Sequence, residues 1–222
     1  MQEGFDDRHA AGRALGRALT PYRDRPQLLV LGLARGGLPV ASAVAEVLGG
    51  ELDVFLVRKI GAPSQPELAL GAVASGGIRN LNEEVIEALG VRRKAVDRAT
   101  RQAQAELEAR ERRYRFGHPA APIKGRTVIL VDDGVATGAT LEAAVSAVRR
   151  QDPAELVVAV PVAAPEARQR LEPLADDFVA LLLPTAVGAV GQWYRRFDQT
   201  SDDEVARLLE AASEEDTHAR GV

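Results

Sequence analysis

Two adjacent carboxylates, Asp132 and Asp133, stand at the end of an apolar run and precede a loop of small residues: VILVDDGVATGAT, Val128 to Thr140. The run reads as a buried strand, and the loop opens a helix whose first backbone N–H groups lack intrahelical partners. The backbone of Ala136, Thr137, Gly138, Ala139 and Thr140 would therefore make an anion site, with the Thr137 and Thr140 hydroxyls as further donors. Gly138 permits close approaches that a Cβ would obstruct. Asp132 and Asp133 can accept hydrogen bonds from vicinal sugar hydroxyls or face a magnesium ion. Taken together these residues suit a ribose 5-phosphate, whereas a lone acid pair in a turn would carry no such meaning.

Such a loop works only if a rigid frame presents it, and the rest of the chain predicts one. Short apolar runs at 28–33, 53–57, 127–131, 156–160 and 178–183 read as buried parallel strands. Helical patterns separate them: Leu38 to Leu48, closed by Gly49 and Gly50, then Gly138 to Arg150, then a helix opened by Pro165. The alternation predicts an α/β fold with a doubly wound parallel sheet. Ahead of it, Asp6 to Leu19 reads as an amphipathic helix with Ala11, Ala14, Leu15, Ala18 and Leu19 on its apolar face. Residues 82–116 form a helical insertion, a short helix ending at Gly90 and a long polar one. Ser201 and Glu204 form a capping box for a last helix, with fraying expected from Glu214 onward. One domain over 1–222 results, with its core at about 28–183.

The phosphate-loop motif resembles the signature of the type I phosphoribosyltransferases, which use 5-phosphoribosyl-1-diphosphate (PRPP). The resemblance extends to LGLARGGLPVA at 31–41, which is similar to the family's pyrophosphate loop. It implies pyrophosphate-binding roles for Ala34, Arg35, Gly36 and Gly37 and a non-proline cis peptide between Ala34 and Arg35. VRKIGAP, Val57 to Pro63, is similar to the arginine–lysine pair and mobile loop that close over PRPP in the adenine and orotate enzymes. The resemblance thus implies catalytic roles for Arg58, Lys59, Asp132 and Asp133, a further pyrophosphate contact from Lys59, and a flap over 61–77. Magnesium is the implied cofactor, at Asp132 and Asp133 directly or through water. Where the hypoxanthine and guanine enzymes carry an aspartate, this chain has Ala136, as adenine-type sequences do, so the acceptor's proton has no assigned base.

The resemblance implies a hood over the site, for which 1–20 and 184–212 are the candidates, with Asn82 to Phe116 as a further contributor. Three of the nine aromatic residues, Trp193, Tyr194 and Phe197, crowd AVGQWYRRF at 189–197. Trp193 and Tyr194 are candidates for stacking on a planar acceptor, against the alternative that the rings only pack the hood. The expected activity is transfer of ribose 5-phosphate from PRPP to a nitrogenous small-molecule acceptor, for instance a purine-like base, with release of pyrophosphate.

A noncatalytic PRPP-binding regulator that binds nucleic acid or a protein partner is the competing class, and the basic stretch Arg92 to Arg115 is its support. Against it stand a net charge of −4 and the acids Asp97, Glu106, Glu108 and Glu111 within the same stretch. Nucleic acid is therefore not the expected partner. Pairing of this helix with the acidic 198–216 segment is expected instead, within the chain or across a homodimer. The absence of cysteine excludes thiolate chemistry, and His9, His118 and His218 are too scattered for a zinc cluster. No stretch is long and apolar enough for a membrane helix and no secretory signal is apparent, so a cytoplasmic location is expected.

Overall fold

The computed structural model describes residues 4–63 and 65–220, without the side chains of 66 and 215–220. Residues 1–3 of the expected hood and Ser64 of the expected flap lie outside the described residues. The chain runs α1 (Arg8–Ala18), β1 (Leu29–Leu33), α2 (Gly37–Leu48), β2 (Glu51–Phe55), β3 (Val57–Ala62), β4 (Gln65–Ala74) and β5 (Ile78–Leu81). It continues with α3 (Glu83–Ala88), α4 (Arg93–Tyr114), β6 (Thr127–Val131), α5 (Ala139–Arg149), β7 (Glu155–Val162), α6 (Pro165–Leu171), β8 (Asp177–Leu182) and α7 (Asp202–Arg220).

Five strands make one parallel sheet in the order β2-β1-β6-β7-β8. Every residue of β1 and β6 is buried, because helices cover both faces. Alternation divides the side chains: Leu29, Leu31, Val128 and Leu130 join the α5–α6 layer, while Val30, Ile129 and Val131 join the α1–α2 layer. From β1 the chain moves outward to β2, then returns on the other side of β1 to build β6, β7 and β8. The carboxyl ends of β1 and β6 are therefore the switch point where open α/β sheets bind ligands.

The first helix differs from the sequence expectation in its buried stripe, which is Ala11, Gly12, Leu15, Gly16 and Leu19, with Ala18 exposed. A Cβ at Gly12 would lie 2.5 Å from the Val40 carbonyl oxygen, and one at Gly16 would lie 2.8 Å from Val47 Cβ. The two glycines let α1 press against α2, which rotates the contact stripe away from Ala18. Counting only apolar side chains misses this.

Residues 61–77, expected as a flap, are mostly strand. β3, β4 and β5 form a separate antiparallel sheet. Its buried side, Ile60, Leu70 and Val73, packs on Val96, Ala103, Leu107 and Tyr114 of α4 and on Val205 and Leu209 of α7. The turn-forming Gly61, Pro63 and Pro66 sit at the hairpin tip, where β5, which pairs only with Gly71 to Ala74, does not reach. α7 begins as expected, with Ser201 Oγ accepting from Glu204 N at 3.1 Å, but its backbone stays helical to Arg220, past the point where fraying was expected.

The basic helix and the acidic segment pair within one chain. Arg113 reaches Asp202 and Asp203 at 3.3 and 2.7 Å, and the Tyr114 hydroxyl donates to Asp202 at 2.6 Å. Arg115 is buried on Asp53, its Nε 2.8 Å from Oδ1, and also donates to the Val54 carbonyl. A hollow of about 310 Å3 beside that pair is lined by residues of β2, the 114–121 turn and α7, and by neither ligand loop. No helix among the described residues is long and apolar enough to cross a membrane.

Candidate functional site

Parallel pairing of β1 with β6 sets their following loops side by side. How closely they meet is measured at Gly36 and Gly37. A Cβ on Gly36 would lie 2.1 Å from Asp133 Oδ2, and one on Gly37 would lie 2.6 Å from the Val131 carbonyl oxygen. The Ala34–Arg35 peptide is cis, as the resemblance implies. Arg35 turns its side chain toward the start of α7, with Nη1 3.6 Å from Asp202 Oδ1.

On the β6 side, Gly138 takes a left-handed conformation (φ 82°) at the start of α5, and Thr137, Ala139 and Thr140 are exposed. The amides of this first turn are free of intrahelical bonds by geometry, so the loop presents donors outward. Arg170 of α6 braces it from behind, donating to the Thr137 carbonyl at 3.0 Å and lying 3.9 Å from Glu142.

Asp132 Oδ1 accepts the Asp133 N–H at 2.9 Å. Burial, reinforced by the neighbouring Asp133 charge, pushes the Asp132 carboxyl well above the usual carboxylate range. Burial also raises Asp133, and Arg8 opposes the shift. Arg8 comes from the first turn of α1 and grips Asp133 with two nitrogens, Nε at 2.9 Å and Nη2 at 2.8 Å. Both side chains are largely buried, at 12% and 15% exposure. The same guanidinium lies 3.8 Å over the Phe197 ring and donates through Nη1 to the Asp198 carbonyl at 2.6 Å.

Arg8 was not legible as a site residue, although one signal existed. A cation in a helix's first turn is disfavoured by the helix dipole unless an anion lies close by.

The two candidate hood segments pack against each other. Phe5 bridges Tyr194, with Phe5 N donating to the Trp193 carbonyl and Arg195 N to that of Phe5. Tyr194 is only 7% exposed, its ring lies 5.7 Å from Phe5 and 4.9 Å from Phe197, and its hydroxyl donates to the Asp133 carbonyl. Burial and the nearby Asp133 charge push that hydroxyl's pKa up, so it stays a donor. Tyr194 thus ties the hood to the acid pair. Trp193 is partly exposed, and its sealed indole N–H has no partner among the described residues.

Arg58 and Lys59 occupy successive positions of β3 and so point to opposite faces. Arg58 pairs with Glu106 of α4, and Lys59 with Glu67 across the hairpin at 2.8 Å. Each cation already has a carboxylate partner that a ligand would have to replace. No group of three or more metal-ligating side chains occurs among the described residues.

Residues 5–192 match the family model of the phosphoribosyl transferase domain, and the chain belongs to that family. A Mycobacterium tuberculosis H37Rv protein, named as a candidate phosphoribosyl transferase, is 44% identical over 208 residues; the match covers 94% of this chain and 47% of the relative. The chain spans about half the length of the curated relatives it matches. The crystal structure of TT1426 from Thermus thermophilus superposes with a TM-score of 0.80 at 47% identity, covering 93% of this chain and 97% of that one. A Neisseria gonorrhoeae protein solved with bound ppGpp shares the fold, with a TM-score of 0.51 at 14% identity over 95% and 98% of the two chains.

Proposed function

We propose that the chain transfers the 5-phosphoribosyl group of PRPP to a nitrogenous small molecule, a purine-like base being the class that the adenine-type Ala136 favours. The interlock of the β1 and β6 loops carries this reading. It would set the acid pair between two backbone-rich anion sites, as a sugar bearing phosphate at one end and diphosphate at the other requires. The α5 amino terminus with Thr137 and Thr140 would anchor the 5-phosphate. Asp132 and Asp133 would accept from the ribose hydroxyls, and the backbone of Ala34 to Gly37 would donate to the diphosphate.

An acceptor nitrogen forms a bond to the anomeric carbon as the bond to diphosphate breaks, and pyrophosphate leaves with the electron pair. Positive charge builds on the sugar, so catalysis means stabilising the leaving diphosphate and excluding water. Arg58 and Lys59 could join by exchanging Glu106 and Glu67 for diphosphate oxygens when the hairpin tip closes. The acid pair is too small to cage magnesium alone, but it suits an ion that arrives with the diphosphate and keeps its water, Asp132 and Asp133 acting directly or through that water. Magnesium would supply neutralisation of the leaving group's charge.

The test is a pyrophosphate-release screen of the full chain with PRPP, magnesium and a panel of nitrogenous bases and amines. At least one acceptor is expected to give release that requires both PRPP and the added base. PRPP binding without release for any acceptor would contradict transfer and leave a PRPP-binding regulator.

A further inference from the structure

The loop after β1 is tied at its two ends. Ala34 N donates to the Phe55 carbonyl at 3.0 Å, and the Arg35 carbonyl accepts from Leu38 N at 3.2 Å. Between these bonds, the N–H groups of Arg35 and Gly36 meet no acceptor among the described residues. They are donors that a diphosphate could use, and their direction depends on what holds Arg35 in place.

A carboxylate from another layer of the molecule holds it. Arg35 Nη1 lies 3.6 Å from Oδ1 of Asp202, the first residue of α7. The same Oδ1 accepts the Tyr114 hydroxyl at 2.6 Å, and Oδ2 faces Arg113 Nη1 at 3.3 Å. Tyr114 is fully buried among side chains of α4, α7 and β3–β5, so its hydroxyl pins the carboxylate to that layer. This bond, joined by the Arg110, Arg35 and Arg113 charges, holds the Asp202 carboxyl below the usual carboxylate range, and it meets Arg35 as an anion. Ala34 and Leu38, on either side of Arg35, pack into the same layer. The Arg35 guanidinium is thus committed to α7, while its backbone lies in the loop.

We propose that Asp202 is a positioning residue for diphosphate binding: through the Arg35 guanidinium it orients the β1 loop, whose backbone, not the arginine side chain, meets the ligand. This role rests on the phosphoribosyl-transfer reading. Asp202 touches no substrate and acts only through Arg35. Tyr114 and Asp202 also join the loop to the layer that carries Arg58 and Lys59 on β3, so one carboxylate sets the loop's place relative to that cation pair.

The test is calorimetric titration of the full chain with magnesium-pyrophosphate, which would use the β1 loop, and with ribose 5-phosphate, which would use the α5 amino terminus. Asp202→Asn keeps an oxygen for the Tyr114 hydroxyl but removes the charge that Arg35 meets. It should weaken pyrophosphate about three- to tenfold, the scale of a partly exposed ion pair and its coupled loop, and leave ribose 5-phosphate unchanged. Arg35→Gln, which cuts the same tie without touching α7, should weaken pyrophosphate equally, and the double variant no further than either single one. Arg113→Gln leaves Arg35 on Asp202 and should bind pyrophosphate as the wild type does. In pyrophosphate-release kinetics Asp202→Asn should raise KM for PRPP by the same factor with kcat unchanged. A loss in Arg113→Gln equal to that in Asp202→Asn, or additive losses in the double variant, would reduce the effect to packing of α7 and overturn the proposal. Tighter pyrophosphate binding in Asp202→Asn would overturn it as well, since Asp202 would then be holding the guanidinium off the ligand. Wild-type binding that is unchanged in both Asp202→Asn and Arg35→Gln overturns only the positioning role, whereas a wild type that binds neither pyrophosphate nor PRPP sinks the phosphoribosyl-transfer reading itself.

Discussion

Gly36→Ala lowers PRPP affinity by about a hundredfold and costs the fold about 1–3 kcal/mol of stability. The backbone at Gly36 has φ −62° and ψ −30°, a conformation alanine adopts without strain. The backbone therefore does not oppose the substitution, and the smaller entropy of the unfolded chain slightly favours it. The added methyl instead falls 2.1 Å from Asp133 Oδ2 and 2.8 Å from its Cγ. Asp133 cannot swing aside freely, because Arg8 holds it through two nitrogens and the Tyr194 hydroxyl holds its backbone carbonyl. Either the pyrophosphate loop or the carboxylate must shift, and both belong to the proposed PRPP site. A hundredfold loss is about 2.7 kcal/mol, the scale of one or two charged hydrogen bonds. Binding isotherms with magnesium-PRPP, beside thermal melts of both proteins, measure it. Wild-type affinity in Gly36→Ala would mean that the interlock is packing without function.

Asp132→Asn is expected to make the protein more stable and less active. Burial and the Asp133 charge raise the Asp132 pKa in the fold, so the unfolded chain loses this proton first as pH rises. Above about pH 4, the unfolded reference value, the folded state binds more protons than the unfolded state. Stability therefore falls with rising pH until the folded group itself ionises. Asparagine removes that penalty and keeps an oxygen to accept Asp133 N–H. At neutral pH the variant should melt at least about 2 °C higher, the shift that roughly 1 kcal/mol produces at this length. The difference should shrink toward zero as pH falls below about 4. Activity should move the other way, with kcat/KM for PRPP reduced by about ten- to a hundredfold, because an amide NH2 replaces one of the oxygens that would face the ribose hydroxyls. Parallel melts from acid to neutral pH check the first half, and pyrophosphate-release kinetics the second.

The sheet was legible because each of its strands is a short apolar run between helical periods, and β1 and β6, buried on both faces, leave no ambiguity of pattern. The phosphate loop was legible for a local reason: strand end, acid pair, small-residue turn and helix start are all contiguous in sequence. Residues that meet only through tertiary structure were not. Arg8 lies 125 positions from Asp133, and nothing near it marks its partner. The β3–β5 sheet was hidden by Gly61, Pro63 and Pro66, whose turn chemistry dominated the reading although it applies only at the tip.

The central claim is that the β1 and β6 loops together bind PRPP, and ligand-dependent melting of the intact chain measures it most directly. At about 100 times its dissociation constant, magnesium-PRPP should add about 2.7 kcal/mol, or roughly 5–10 °C in melting temperature at this length. Thr137→Ala combined with Thr140→Ala should remove most of that shift while leaving the ligand-free melt unchanged, because both side chains are exposed and serve only the anion loop. A wild type whose melting temperature stays constant across millimolar magnesium-PRPP would contradict the claim.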